Sequence, residues 1–203
     1  RARATLSYAD PEPDSRGVQR VDTLSVVRSR VALNPGDQYL VTTQVSQATA
    51  QQLRHAGDHY PDWVVPRYLQ LPSRLPERVR QLARRLTEPY TSAFDKAAAL
   101  EDYLRHAIAY NEAIDAPPAG RDPVDYVLFE SRQGYCDYYA SAMVVLARAA
   151  GVPARLVTGY AQGVFQPDTQ QFIVFEKNAH SWVEIFFPDY GWIEFEPTTT
   201  QPA

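Results

Sequence analysis

The sequence of 203 residues lacks several features, and each absence narrows the class of protein. It has one cysteine and four histidines, which rules out a disulfide framework and leaves no paired ligands at the spacing of a structural zinc site. The net charge of -4 provides no basic surplus to neutralise nucleic-acid phosphates, so we expect no nucleic-acid partner. No apolar run reaches the roughly 18 residues that a membrane helix needs. This segment is therefore expected to contain no membrane span.

The residues that are present indicate an ordinary folded protein. Hydrophobic residues make up 45% of the chain, aromatic residues 12% and charged residues 22%, which excludes disorder or a coiled coil for the whole. The length predicts one compact domain with a smaller appendage. Because the chain begins Arg1-Ala2-Arg3-Ala4 without an apolar signal region, we expect it to be a segment of a longer protein.

The N-terminal third predicts an arm followed by a small β-rich appendage. Residues 1–20 are polar and contain prolines, and the segments 21–33 and 39–45 predict a hairpin. Thr49 and Gln52 have the spacing of a capping box before a short helix. We therefore assign residues 1–67 to the arm and appendage, and residues 68–203 to the core domain.

The spacing of hydrophobic residues in the core domain changes once along the chain, from a helical period to a period of two. Helical stripes come first: one follows Pro76, another runs from Ala97 to Ile108, and the strongest begins at Cys136. Asp122-Pro123 predicts a further helix start. Four strands with a period of two then follow, at residues 155–159, 171–176, 180–187 and 192–196. Helices followed by an antiparallel sheet predict an α+β fold.

Cys136 is the first candidate for chemistry. A thiol at a helix N-terminus faces unpaired backbone N–H groups and the positive end of the helix dipole, and both favour the thiolate. The alternative is a small buried core residue, which is common for free cysteine. Gly134 just before the helix predicts a tight turn that presents the sulfur to a cleft.

His180 is the best candidate for the acid/base partner that a thiolate nucleophile requires. An odd-length turn around Pro188 would pair His180 with Glu196 on one face of a hairpin, so that the carboxylate fixes the imidazole tautomer. The alternative is a half-exposed hairpin with a polar face. The remaining histidines, His55, His59 and His106, are better explained as solvated or capping residues.

Four separate motifs give the sequence a family resemblance. They are Phe129-Glu-Ser-Arg-Gln-Gly-Tyr-Cys-Asp-Tyr-Tyr-Ala, Gly151-Val-Pro-Ala-Arg-Leu-Val-Thr-Gly-Tyr, Ala179-His-Ser-Trp-Val-Glu and Gly191-Trp-Ile-Glu-Phe-Glu-Pro-Thr. From about Tyr68 to Thr198, the chain resembles the bacterial transglutaminase-like domains carried outside the cytoplasmic membrane by polytopic membrane proteins. The resemblance implies a papain-like α+β fold with helices packed on an antiparallel sheet.

The resemblance also implies roles for individual residues. Cys136 is the expected nucleophile, His180 the acid/base and Glu196 the orienting acid, where the family usually has aspartate; Glu194 is the fallback. The backbone N–H of Cys136 is the first expected oxyanion donor, from its helix position, and Gln133 the second. Tyr135 and Trp182 are expected to line the substrate groove.

The implied function is acyl transfer from a protein or peptide carboxamide to an amine through a thioester. The alternatives are a cysteine peptidase, amidase or deamidase that uses water, and an inactive peptide-binding module. No metal or cofactor is expected. The expected partners are cell-envelope proteins or peptides, met at the extracytoplasmic face of a bacterial membrane to which the parent chain is anchored.

Overall fold

The computed structural model describes residues 46–200, together with residues 32, 34 and 36–38. The chain divides into two compact units, Arg1–Val45 and Ser46–Ala203. The predicted arm and hairpin lie outside the described residues, and the β-rich appendage stays a prediction. The second unit begins before the boundary expected after residue 67, because Leu53 is only 4% exposed and belongs to the main core.

Six α-helices lie in the described part of the second unit, and their starts follow local sequence signals. The predicted capping box is present: the Thr49 side chain accepts from the backbone of Gln52, whose side chain accepts in return. Asp122 caps the helix that was predicted to start at Asp122-Pro123. The helices are α1 (Ala50–Arg54), α2 (Val64–Tyr68), α3 (Glu77–Thr87), α4 (Ala93–Ala107), α5 (Pro123–Tyr126) and α6 (Cys136–Ala149).

The apolar stripes of α3, α4 and α6 meet in the core. Tyr139 and Leu146 of α6 are fully buried, and α6 packs on both α3 and α4. Most residues of the predicted core faces are buried, and the two exceptions, Leu86 and Ala107, are half-buried; the buried ones are Val79, Leu82, Ala83, Ala97, Leu100, Leu104, Ile108, Ala140, Met143, Val144 and Ala147. α6 therefore runs through the centre of the domain and fixes Cys136 at one end.

An antiparallel sheet packs against α6. Its strands are β3 (Ala154–Tyr160), β6 (Ala179–Phe187) and β7 (Gly191–Phe195), with β6 in the middle. Two small two-stranded sheets lie outside this sheet. One is the parallel pair of β1 (Ala109–Tyr110) and β2 (Gln133–Gly134). The other is the antiparallel hairpin of β4 (Val164–Gln166) and β5 (Gln171–Ile173). The expected α+β architecture, with helices packed on an antiparallel sheet, is confirmed.

The second of the four predicted strands was wrong in extent and in its place in the main sheet. Residues 171–176 do not enter the main sheet, because only residues 171–173 form a strand and that strand pairs with β4. Glu176–Asn178 forms a 3-10 turn, in which the Asn178 side chain accepts from the N–H of Phe175 at 2.8 Å. None of the helices in the described part of the chain is long and apolar enough to cross a membrane.

Candidate active site

Cys136 is the first residue of α6, as the sequence predicted. The residues before it are tightly packed: a Cβ on Gly134 would lie 2.7 Å from the Cβ of Tyr138, closer than real side chains approach. Gly134 is therefore needed for close approach, while Tyr135 caps the helix with extended backbone. This packing holds the sulfur at the mouth of a cavity, where Cys136 is partly exposed.

His180 and Glu196 are hydrogen-bonded, with 2.5 Å between Nε2 of His180 and Oε2 of Glu196. Both side chains are largely buried, with 10% and 17% of their surface exposed. Glu196 binds one ring nitrogen, so Nδ1 of His180 is left without a hydrogen bond to any described residue. Nδ1 is therefore the ring atom available for proton exchange.

Cys136 and His180 line the same cavity, whose volume is about 540 Å³. His180 also lines a second cavity of about 630 Å³, which contains Glu196 and Trp182. The imidazole thus lies between the two cavities, with the sulfur on one side and the carboxylate on the other. A substrate in the first cavity would meet both the thiol and the ring.

The groups around the Cys136 thiol shift its pKa in opposite directions. Burial raises the pKa of the Cys136 thiol, and the charges of Asp137 and Glu196 add to this rise. The backbone N–H groups of Ser181 and Asp137 lower it, but they do not compensate for burial. The lowered thiol pKa expected at a helix N-terminus is thus not found, and thiolate formation calls for a proton acceptor such as His180, which lines the same cavity.

The side chains expected in the groove lie beside these cavities. The Trp182 ring is stacked on His180, with centroids 6.3 Å apart, and Tyr135 lines the cavity of Cys136. Glu194 lines the second cavity, but the hydrogen bond of His180 goes to Glu196.

Gln133, the expected second oxyanion donor, lies in a different place. Its Oε1 accepts from Nδ2 of Asn111 at 2.9 Å, and it lines a separate cavity of about 250 Å³. Its role as oxyanion donor stays a prediction. The backbone N–H of Cys136, in contrast, has no hydrogen-bond acceptor among the described residues, as expected for the first turn of a helix.

Sequence reasoning missed two residues that contact the site. Oδ1 of Asp137 accepts from Oγ of Ser181 at 2.5 Å and from Sγ of Cys136 at 3.9 Å. Asp137 follows the cysteine directly, and Ser181 follows the histidine, so adjacency was the one signal in the sequence. This bridge connects the start of α6 to β6 and so fixes the thiol relative to the imidazole.

Two further histidines make local contacts away from the site. Nδ1 of His55 contacts the backbone oxygen of Gln51, and Nδ1 of His106 that of Asp102. Both contacts join residues four positions apart in one helical turn. Over the described ranges, no group of three potential metal ligands occurs.

Fold and site together define the class of the protein. A cysteine at the start of the central helix lines one cavity together with a histidine of β6, and that histidine is hydrogen-bonded to a glutamate just beyond the end of β7. The chain belongs to the transglutaminase-like superfamily, whose family model matches residues 80–197.

Two curated bacterial proteins are similar to this chain. The first, YebA of Bacillus subtilis, is 50% identical over 145 residues, which are 68% of this chain and 20% of that protein. The second, from Pseudomonas aeruginosa, is named protein-glutamine gamma-glutamyltransferase and is 40% identical over 133 residues, 65% of this chain and 20% of that protein. The chain thus matches about a fifth of the length of each relative.

A solved structure also matches the fold. The periplasmic domain of TgpA from Pseudomonas aeruginosa has a TM-score of 0.60 and 37% sequence identity to this chain. The match covers 71% of this chain and 49% of that domain. This similarity supports the recognition of the transglutaminase-like fold from its motifs.

Proposed function

We propose that this domain transfers an acyl group from a glutamine carboxamide of a protein or peptide to a primary amine, through a thioester on Cys136. The observation that carries the proposal is the contact of 2.5 Å between His180 and Glu196, with the same imidazole facing the cavity of Cys136. A polar hairpin without chemistry has no need for a buried imidazole and carboxylate next to a thiol.

In the first half-reaction, Sγ of Cys136 attacks the carboxamide carbon while Nδ1 of His180 accepts the thiol proton. The new C–S bond gives a tetrahedral intermediate, whose oxyanion the backbone N–H of Cys136 stabilises. The C–N bond then breaks, and His180 returns its proton to the departing ammonia. Glu196 stabilises the imidazolium through Nε2–H during both transfers.

In the second half-reaction, a primary amine attacks the thioester carbon. His180 accepts a proton from the amine, the C–S bond breaks, and the thiolate regains that proton. Water can attack in place of the amine and would give deamidation. One observation favours this second candidate: Glu112 and Thr158, which line the cavity of Cys136, are exposed, so water has access to the sulfur.

The experiment measures both acceptors at once. A glutamine-containing peptide is incubated with and without a biotin-labelled alkylamine, and ammonia release and biotin incorporation are followed. We expect both signals with the amine, ammonia alone without it, and neither in Cys136→Ala or His180→Ala. His106→Ala is the matched control, because His106 is exposed and lies outside both cavities.

Each outcome decides between the candidates. Ammonia release that the amine never converts to incorporation would replace acyl transfer by deamidation. A wild-type protein that produces neither signal, and whose Cys136 does not react with iodoacetamide, would overturn the enzymatic proposal and leave a peptide-binding module.

The location and partners are part of the same proposal. The similar Pseudomonas aeruginosa structure is a periplasmic domain, which supports an extracytoplasmic position for this domain. Cell-envelope proteins or peptides would then be the substrates within reach, and the parent chain would be anchored in the membrane. A reporter fused to the parent protein, tested for labelling by a membrane-impermeant reagent, checks this position.

A further inference from the structure

Two side chains of α4 hold the main chain around Glu196. Oε1 of Glu101 accepts from the backbone N–H of Glu196 at 2.6 Å. Nη1 of Arg105 donates to the backbone oxygens of Glu196 and Thr198, at 2.8 and 2.9 Å. Glu101 and Arg105 are four residues apart and therefore lie on the same face of the helix.

These contacts are made where the sheet no longer holds the chain. The pairing of β6 with β7 ends at Val183 and Phe195, so Glu196 is the first residue beyond the ladder. A residue just outside a ladder has more freedom than one inside it. The three hydrogen bonds from α4 restrict the backbone that carries the carboxylate.

Both carboxylate oxygens of Glu196 are engaged as well. Oε1 accepts from the backbone N–H of Thr198 at 2.8 Å, which leaves Oε2 for Nε2 of His180. The backbone oxygen of Thr198 in turn accepts a hydrogen bond from Arg105. The orientation of the carboxylate therefore depends on the position of Thr198, and so on α4.

We propose that Glu101 and Arg105 are positioning residues that aim the carboxylate of Glu196 at Nε2 of His180 through its main chain. The inference rests on the proposed acyl transfer for its kinetic consequence, but its geometric part stands without it. Glu101 lines the second cavity together with His180 and Glu196, but neither Glu101 nor Arg105 lines the cavity of Cys136, where the thiol would react. They act through Glu196.

The test uses variants of α4 in the 203-residue chain. Glu101→Ala removes the acceptor for the Glu196 N–H, whereas Glu101→Gln keeps an oxygen at the same place. Arg105→Met removes the donor to both backbone oxygens with little change in length. Asp102→Ala is the matched control, because Asp102 lies next to Glu101 but its side chain is 77% exposed and pairs with His106.

The first measurement is the proton resonance of the His180 Nε2–H, assigned by its loss in Glu196→Ala. We expect it at low field in the wild type, in Glu101→Gln and in Asp102→Ala, and shifted or lost in Glu101→Ala and Arg105→Met. Circular dichroism shows whether each variant is folded. A folded Glu101→Ala and a folded Arg105→Met that both keep the wild-type resonance would overturn the proposal.

The second measurement is kcat for carboxamide turnover. A misplacement of about 1 Å can cost roughly 100-fold in rate, so we expect Glu101→Ala and Arg105→Met to lose about 10- to 100-fold in kcat with little change in KM. Glu101→Gln should recover most of that loss; a Gln variant as impaired as the Ala variant would contradict positioning by hydrogen bonding. If the wild type turns over no carboxamide, the proposed function fails, and the resonance still decides the positioning.

Discussion

His180 and Glu196 are diagonal neighbours across β6 and β7, not directly opposite residues. Val183 pairs with Phe195 and Glu184 with Glu194, so the continued register sets Glu196 opposite Trp182. The three residues of the turn, 188–190, make the loop odd in length, which puts both side chains on one face. Because a diagonal pair is farther apart than a direct one, the longer glutamate side chain can span the separation to Nε2.

The first prediction concerns the length and charge of this carboxylate. Glu196→Gln removes the negative charge that stabilises the imidazolium and should lower kcat about 100-fold or more. Glu196→Asp keeps the charge but shortens the reach by about 1.5 Å, one C–C bond, while α4 holds the backbone in place. We therefore expect kcat of Glu196→Asp to fall about tenfold or more, measured from initial rates of ammonia release.

One control and one contradicting outcome make this result specific. Glu194→Gln changes the neighbouring carboxylate on the same strand, which lines the cavity without binding His180, and should have a much smaller effect. An aspartate variant as active as the wild type would show that the backbone moves to restore the contact.

The sequence predicted the helices well because their signals are local. The capping box at Thr49, the Asp122 cap and the apolar stripe of α6 depend on residues within one or two turns, and all three are confirmed. The strand at 171–176 failed for the opposite reason. It pairs with Val164–Gln166, which was not predicted as a strand, and the alternation of side chains does not encode which partner a strand takes.

The second prediction concerns the charge next to the thiol. Asp137 raises the pKa of Cys136 through its negative charge, so Asp137→Asn should lower that pKa while keeping an oxygen for Ser181. Thiolate then forms at lower pH, and the midpoint of the pH dependence of iodoacetamide alkylation should move down. Mass spectrometry of the alkylated protein gives the rate at each pH.

The control for this shift is Asp168→Asn, an exposed carboxylate in the turn between β4 and β5. It should leave the midpoint where it is. A midpoint that stays fixed or rises in Asp137→Asn would contradict the electrostatic role of Asp137.

Only two kinds of sequence signal predicted the site: the alternation of side chains along a strand, and the position of a residue next to a helix start. Parity placed His180 and Glu196 on one face, and the helix start placed Cys136 in a cleft. The contacts of Glu101 and Arg105 with Glu196 join residues more than 90 positions apart, and no local pattern encodes such contacts. Gln133 illustrates the limit: its distance in sequence from Cys136 is short, yet its side chain binds Asn111 in another cavity.

The third prediction concerns the tryptophan stacked on His180. A Cβ on Gly159 would lie 2.9 Å from Cη2 of Trp182, at the far end of the indole. Gly159→Ala should therefore displace the indole, destabilise the protein by about 1–3 kcal/mol as overpacking does, and slow alkylation of Cys136. Denaturant unfolding and the alkylation rate are the two measurements.

A second substitution, Trp182→Phe, should relieve the clash between the new Cβ of Gly159→Ala and the indole. Phenylalanine lacks the outer atoms of the indole, so Trp182→Phe combined with Gly159→Ala should be more stable than the sum of the two single effects predicts. Strict additivity of the two substitutions would show that Gly159 does not act through Trp182.

The fourth prediction concerns how stability depends on pH through Glu101. Burial raises the pKa of Glu101, so the folded protein holds this proton more tightly than the unfolded chain does. The burial of such an acid does not destabilise the fold below its unfolded pKa; the penalty grows as pH rises from the unfolded to the folded pKa and is constant above it. Glutamine carries no charge and still accepts from the Glu196 N–H. The free energy of unfolding of Glu101→Gln minus that of the wild type, from urea melts, should therefore increase from about pH 4 towards neutral pH. A difference that stays flat or falls over this range would mean that Glu101 is ionised in the folded protein without penalty.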